Sequence, residues 1–412
     1  MTDVSNRASV AGVCRVAAVC AIASVVSCDA GGAWDPGDVS STAGALSLCQ
    51  AEPSFVDVQT LDEGEPFAMA AVALDRDTLV TGGNHHVHVY RRRHAQPWTL
   101  EQTLVPEPDV PSSPFGRGLA LKGDTLVVGA GAEQGSPPDY PWGYADVYRR
   151  RAGQWKLEAR LQPDLGMPLT CSESAFGRNI ALGDDVVVLS ANRMGLGPGG
   201  CGQGAVFVFQ RCADSWTQLQ VIAAPPVPIS NPPLGYPNYD TNFGASLSMS
   251  GDTLVIGQPG RGLTPPLQGA IHVFAWGGTS FALQQAFVAP GVAYDTADKL
   301  GLEAVVNGRI LAAAEDGNLR TFVRQGATWS ARAHVPASTP GIRKGHALAR
   351  GGNRLFLSDA GAVQVFELGA NGDLAPLPPL TVDGAQGDSA LAVDERTLVV
   401  AGDHGVHILQ RE

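Results

Sequence analysis

Three groups of residues in this 412-residue chain could do chemistry. The first is Asn84-His85-His86-Val87-His88, where His86 and His88 stand two apart and would share one face of a strand, within reach of a metal ion. The second is a set of short polar segments, Glu315-Asp316, Asp359 and Asp403-His404. With Asn84 and His85 these could form an acidic, His-containing rim that holds a cation or a basic group. The third is the series Gly129, Gly131 and Gly135, which follows Leu126-Val127-Val128 as a phosphate-cradling loop follows its strand.

Each group has a plainer reading. The glycines run into Ser136-Pro137-Pro138, so the helix that a dinucleotide loop requires is missing. No third ligand stands at a metal-site spacing from His86 and His88. His88, Asp146, His272, Gln364 and His407 occupy one repeated slot, which reads as a structural hydrogen-bonding position. Short turns select Asp, Asn and Gly for backbone reasons alone. GxSxG, HExxH, CxxC and Walker-type spacings do not occur, and a formal charge of −12 argues against a nucleic-acid partner.

What must position all of these residues is a repeat. Aligned on Leu126, one local pattern recurs at Leu79, Val187, Leu254, Leu311, Leu355 and Leu398, with spacings of 47, 61, 67, 57, 44 and 43 residues. A constant unit with variable loops belongs to propellers and solenoids. Each copy has a short first strand, a tight turn such as Lys122-Gly123-Asp124 or Ser250-Gly251-Asp252, and a second strand of the DTLVVG type. A third strand and a fourth follow. The fourth opens on an aromatic with an apolar residue six positions on, as in Trp98/Leu104, Trp155/Leu161, Trp216/Ile222, Phe281/Phe287 and Trp329/Val335. The even offset predicts that both residues of a pair share one strand face.

The seventh copy stops after its third strand, at 406–412, and its fourth appears at the other end: FVDVQTL (55–61) places Phe55 where the tryptophans stand and repeats the QTL of Gln102-Thr103-Leu104. A first strand that completes the last repeat closes a ring and removes two exposed edges. The predicted fold is therefore all-β: a seven-bladed β-propeller of four-stranded antiparallel blades over 54–412, closed by the strand at 54–61.

An FG dipeptide, a GD turn and a VVGA strand together resemble the FG-GAP repeat of integrin-α-type propellers and of bacterial secreted proteins and lipoproteins. The dipeptide stands at Phe115-Gly116, Phe176-Gly177 and Phe243-Gly244, with degenerate forms at Leu300-Gly301 and Lys344-Gly345. The calcium-binding version of that repeat carries several oxygen ligands in the first hairpin loop. Here Asp124, Asp185 and Asp252 stand mostly alone in their turns, so no integrin-type calcium site, and no other cofactor, is implied.

Upstream of the repeats, Arg7 and Arg15 precede the 12-residue apolar run 16–27, the layout of a signal peptide at 1–27. Val25-Val26-Ser27-Cys28 resembles the bacterial lipobox, which implies lipidation of Cys28 and a place in the cell envelope. Residues 28–53, rich in Gly, Ser, Ala and Asp, read as a flexible tether, so that the lipid is the chain's one membrane contact. Cys171 and Cys201 fall in loops of one propeller face and could form a disulfide in an oxidising compartment.

Loop length says most about function. Strand 2–3 loops and blade-to-blade linkers share a face of a propeller, and those of copies two to four are long: 132–144, 192–204, 259–269 and the linker 223–240. They carry Tyr140, Trp142, Tyr144, Tyr236 and Tyr239, rings suited to holding a protein, peptide or glycan. The expectation is a monomeric, lipid-anchored binding or scaffold module. The alternative is an enzyme, a metal-assisted hydrolase or lyase working at the acidic and His-containing rim of the channel mouth.

Overall fold

The computed structural model describes residues 55–61, 71–83, 85–94, 96–106, 115–131, 143–165, 174–195, 202–213, 215–225, 241–260, 269–288, 300–315, 318–336, 347–359, 362–382, 390–402 and 405–411, all within one compact unit, Pro53–Glu412. They form 28 strands in seven four-stranded antiparallel sheets, a seven-bladed β-propeller.

The chain opens on β1 (Phe55–Leu61), which belongs to the last blade. Blade 1 is β2 (Ala71–Asp75), β3 (Thr78–Gly83), β4 (His86–Arg91) and β5 (Thr99–Leu104). Blade 2 is β6 (Phe115–Lys122), β7 (Thr125–Gly131), β8 (Gly143–Arg151) and β9 (Gln154–Leu161). Blade 3 is β10 (Ile180–Leu182), β11 (Val186–Ala191), β12 (Ala205–Cys212) and β13 (Ser215–Ala223). Blade 4 is β14 (Leu247–Ser250), β15 (Thr253–Gln258), β16 (Ala270–Trp276) and β17 (Phe281–Val288). Blade 5 is β18 (Glu303–Asn307), β19 (Ile310–Glu315), β20 (Asn318–Gln325) and β21 (Thr328–Pro336). Blade 6 is β22 (Leu348–Gly351), β23 (Arg354–Asp359), β24 (Ala362–Leu368) and β25 (Leu374–Thr381). Blade 7 is β26 (Ala390–Val393), β27 (Thr397–Gly402) and β28 (Gly405–Arg411), and β1 pairs antiparallel with β28 from Phe55↔Arg411 to Leu61↔Val406. The ring closes as the sequence predicts.

Burial explains the strand composition. Second strands are covered on both faces by neighbouring blades, so β7 and β15 are buried at every position and read as unbroken apolar or small-residue runs. The turns before them need a left-handed residue, supplied by Gly123, Gly251, Gly308 and Gly352 at φ 57–59°. Seven apolar clusters fill the seven blade interfaces.

The FG and VVG signatures meet at those interfaces. The phenylalanines Phe115, Phe176 and Phe243 are fully buried, and the glycines after them adopt φ 80–93°. Gly82 packs against Gly116, Gly129 against Gly177, and Gly257 against Gly301, so closely that a Cβ on the first member of each pair would meet the carbonyl oxygen of the second. Each pair joins one blade's second strand to the entry of the next blade.

The fourth strands depart from the sequence expectation. Trp98 packs in the cluster between blades 7 and 1, whereas Leu104 packs in the one between blades 1 and 2. Trp155 and Leu161 divide in the same way, as do Trp216 and Ile222. The two residues of a pair face opposite neighbours because every fourth strand carries a register shift between them, as at Val89/Tyr90 and Val147/Tyr148. One extra residue in a strand reverses the parity of the positions beyond it. At four of these shifts sits a glutamine that clamps the next blade. Gln59 accepts from the Trp98 N–H at 2.8 Å and donates to its carbonyl at 3.0 Å. Gln102 holds Trp155, Gln220 holds Phe281 and Gln285 holds Trp329 in the same two-bond manner, each bond at 2.9 Å.

Candidate functional site

Antiparallel pairing places the strand 2–3 loops and the blade linkers on one face, and from the linker after blade 2 to the loop of blade 4 their bases are tied together sideways. In blade 3, Gly202 donates to Arg193 at 2.8 Å and Gly204 to the fully buried Met194 at 2.8 Å, joining the two flanks of the loop. That base reaches into the linker before blade 4: Asn242 donates to Gly202 and Phe243 to Gln203, both at 3.1 Å, and the Thr241 hydroxyl donates to the Gln203 carbonyl at 2.6 Å. Gly260, at the root of the blade 4 loop, then donates to Thr241 at 3.1 Å. Arg193 donates back to Ser174 in the linker from blade 2 at 3.3 Å. Loop roots spliced across three blades hold whatever they carry at fixed spacing.

Of the aromatics expected on these loops, Tyr140, Trp142, Tyr236 and Tyr239 lie outside the described residues. Tyr144 is no loop residue. It is the second residue of β8, pairs with Ala130 and has no exposed surface. Its ring faces the core between blades 1 and 2, and the Arg160 guanidinium lies 4.2 Å from its centroid. Arg160 is fixed by Asp146 through two bonds of 2.7 and 2.9 Å, so this tyrosine is a packing element and cannot dock a partner.

The rim positions fall where second strands give way to third strands, and Glu315 and Asp359 are the last residues of β19 and β23. Gly83↔His86 brackets 84–85, Glu315↔Asn318 brackets 316–317, Asp359↔Ala362 brackets 360–361 and Gly402↔Gly405 brackets 403–404. His85 is exposed at φ 73°, the positive value such a turn demands. Asn84, Asp316, Asp403 and His404 lie outside the described residues, as do Cys28, Cys171 and Cys201. Among the described residues, His, Cys, Asp and Glu form no group of three or more able to hold a metal, and Cys212 is an exposed free thiol.

His86 and His88 do share a face, with ring centroids 5.1 Å apart. In the repeated slot that contains His88, the interactions run within each blade. Asp146 binds Arg160, His272 Nε2 meets Gln258 Oε1 at 2.8 Å, and His407 Nδ1 meets Asp57 Oδ2 of the closing strand at 2.9 Å. Burial lowers the His272 pKa to about 4, which keeps that ring neutral.

Glu303 is the residue that sequence reading missed. It opens β18 opposite Ala314 and aligns with Asn179 and Ser246 of blades 3 and 4. Those two side chains donate to the glycine carbonyl that enters the next blade, Asn179 to Gly244 at 2.9 Å and Ser246 to Gly301 at 3.0 Å. Burial raises the Glu303 carboxyl from 4.5 to about 8, so at neutral pH the position holds a carboxylic acid with a proton to donate. The alignment of copies contains the signal, one acid in a column otherwise made of Ala, Gly, Ser and Asn.

A pH dependence follows. Unfolded, Glu303 loses its proton near 4.5; folded, it keeps it to about 8, so stability falls as pH rises through that window. The slope is at most ~1.4 kcal/mol per pH unit. Urea midpoints of wild type and Glu303→Gln should differ little near pH 5 and diverge by pH 8, with the variant gaining relative to wild type. A difference constant across the range would contradict the assignment.

Ring, blades and closing strand together define the class, a seven-bladed β-propeller. The sequence matches no protein-family model and no curated protein.

Proposed function

We propose that this chain is an extracytoplasmic binding module of FG-GAP type, anchored through a lipid on Cys28, that recognises a protein, peptide or glycan. A β-propeller is consistent with a binding or scaffold role. The observation that carries the reading is the splicing of the loop roots of blades 3 and 4 to the linkers before those blades through Ser174, Arg193, Gly202, Gln203, Thr241 and Gly260. Rigid roots reduce the entropy lost when the loops engage a partner. The linker before blade 4 that they anchor carries Tyr236 and Tyr239, and the neighbouring blade 2 loop carries Tyr140 and Trp142, side chains of the kind that dominate binding energies at interfaces.

Pull-down from a cell-envelope extract tests this. Trp142→Ala and Tyr236→Ala should each reduce capture at least tenfold, in line with the ~2 kcal/mol or more that anchor aromatics contribute, while melting temperatures stay within about 2 °C of wild type. Equal capture by wild type and both variants would remove these loops from consideration.

A further inference from the structure

The face opposite the long loops carries the strand 1–2 and 3–4 turns, and there blades 7, 1 and 2 line an open cavity of about 810 Å³. In a chain of formal charge −12, its wall holds six arginines and a histidine against four carboxylates. Two local features of the sequence build it. Tyr90-Arg91-Arg92-Arg93 and Tyr148-Arg149-Arg150-Arg151 deliver basic runs from the ends of β4 and β8 to the same face. In addition, Arg76 and His94 occupy left-handed backbone at φ 56° and 54°. The residues equivalent to Arg76 in blades 2, 4, 5 and 6 are Gly123, Gly251, Gly308 and Gly352, so blade 1 alone among these five sets a charged side chain where glycine is unstrained. That substitution costs on the order of 1 kcal/mol, and strain of this kind concentrates at functional sites.

Half of the arginines are committed to the wall itself. Arg91 pairs with Asp77 at 2.6 Å, Arg150 with Glu101 at 2.9 Å, and Arg92 lies 5.1 Å from the Trp98 ring centroid. Arg76 is exposed and touches Asp75 at 3.2 Å. Arg93, His94 and Arg396 are exposed, and among the described residues their own side chains make no hydrogen bond or ion pair. Asp394 is spent on the backbone N–H groups of Arg396 and Thr397, at 2.8 and 2.7 Å. Glu395 is the remaining carboxylate, and it borders a second cavity of about 560 Å³ that also reaches Arg396 and Arg411.

We infer that this basic cavity binds the tetrahedral oxyanion ester, phosphate or sulfate, of a ligand carrying several such groups. Planar guanidinium forks bind these groups through paired, charge-assisted bonds, and no lysine lines the wall. The volume far exceeds one such group, which points to a chain of them. With the molecule as a whole repelling anions, attraction must come from this local field. The site shares no residue with the loops proposed above, so either assignment can fail without the other.

Calorimetric titration of the full-length chain with tripolyphosphate and with a sulfated hexasaccharide tests the inference, hexagalacturonate serving as a carboxylate-only comparison. At least one of the phosphate and sulfate probes should bind, more tightly than hexagalacturonate, and the tighter of the two names the ligand's source. Arg93→Glu combined with Arg396→Glu should weaken binding at least tenfold. Glu395→Gln should tighten it about twofold. Arg309→Glu, the same charge change as either one of the two arginine substitutions but at an exposed turn of blade 5, should leave it unchanged. Arg93→Gln alone, which should weaken binding about threefold, replaces the double variant if that fails to fold. The inference is overturned if neither the phosphate nor the sulfate probe binds, if hexagalacturonate binds as tightly, or if Arg309→Glu weakens binding as much as the cavity variants.

Discussion

Gly129→Ala should destabilise the protein by about 3 kcal/mol and lower its melting temperature by about 5 °C, whereas Gly131→Ala, two residues along the same strand, should cost under about 1 kcal/mol. Both glycines end β7, and both are buried. The difference lies across the blade boundary. A Cβ at Gly129 would meet the backbone of Gly177, carbonyl oxygen first. A Cβ at Gly131 would find the backbone of Ala175 at 3.5 Å, an ordinary contact. Gly177 cannot retreat easily: its N–H donates to Ser190 at 2.8 Å, and it sits at φ 80°. Relief would require blades 2 and 3 to separate and open the cluster that contains Phe176, Phe207 and Leu189. Thermal melts of the two variants decide the matter, and equal losses would mean that the glycine pairing does not set blade spacing.

Removal of 55–61 should be more damaging still, with a loss on the order of 5 kcal/mol. Phe55 meets Phe356 edge-on at 5.4 Å, and Leu61 is buried between blades 7 and 1. Burial of two such side chains contributes roughly 1.5–3 kcal/mol each. Two Gln59 bonds to Trp98 and the Asp57–His407 contact go with them. Deletion would also leave β28, buried over its first five residues, as an open edge able to pair with another chain. A melting temperature within about 2 °C of wild type, with no association in sedimentation, would mean that these residues do not close the ring.

Much of this architecture was legible in the sequence. The second strands repeat almost literally, the turn glycines recur at one offset, and the QTL shared by 59–61 and 102–104 exposed the closing strand. That shared glutamine is the interblade clamp, although its identity in two copies did not reveal its role. The outer-strand pairs were assigned to the wrong faces because an even spacing was counted through a bulge that leaves no mark in composition. Tyr144 follows Trp142-Gly143 in a proline-rich stretch and so reads as a loop ring from sequence; pairing with Ala130 draws it into the strand. Glu303 and the arginine cavity depend on neighbours from other blades. Arg396, Arg76 and Arg150 are brought to one wall by ring closure, and separations of that length carry no local signal.

The claim on which all of this rests is that one chain closes its own ring through β1 and β28. Cysteines at Val56 and Gln410, which face each other across those strands, test it directly in a Cys212→Ser background. After mild oxidation, peptide mapping of the monomer should recover a disulfide joining residues 56 and 410 in most molecules. Failure to find that linked peptide, or its recovery only between two chains, would contradict the closed propeller described here.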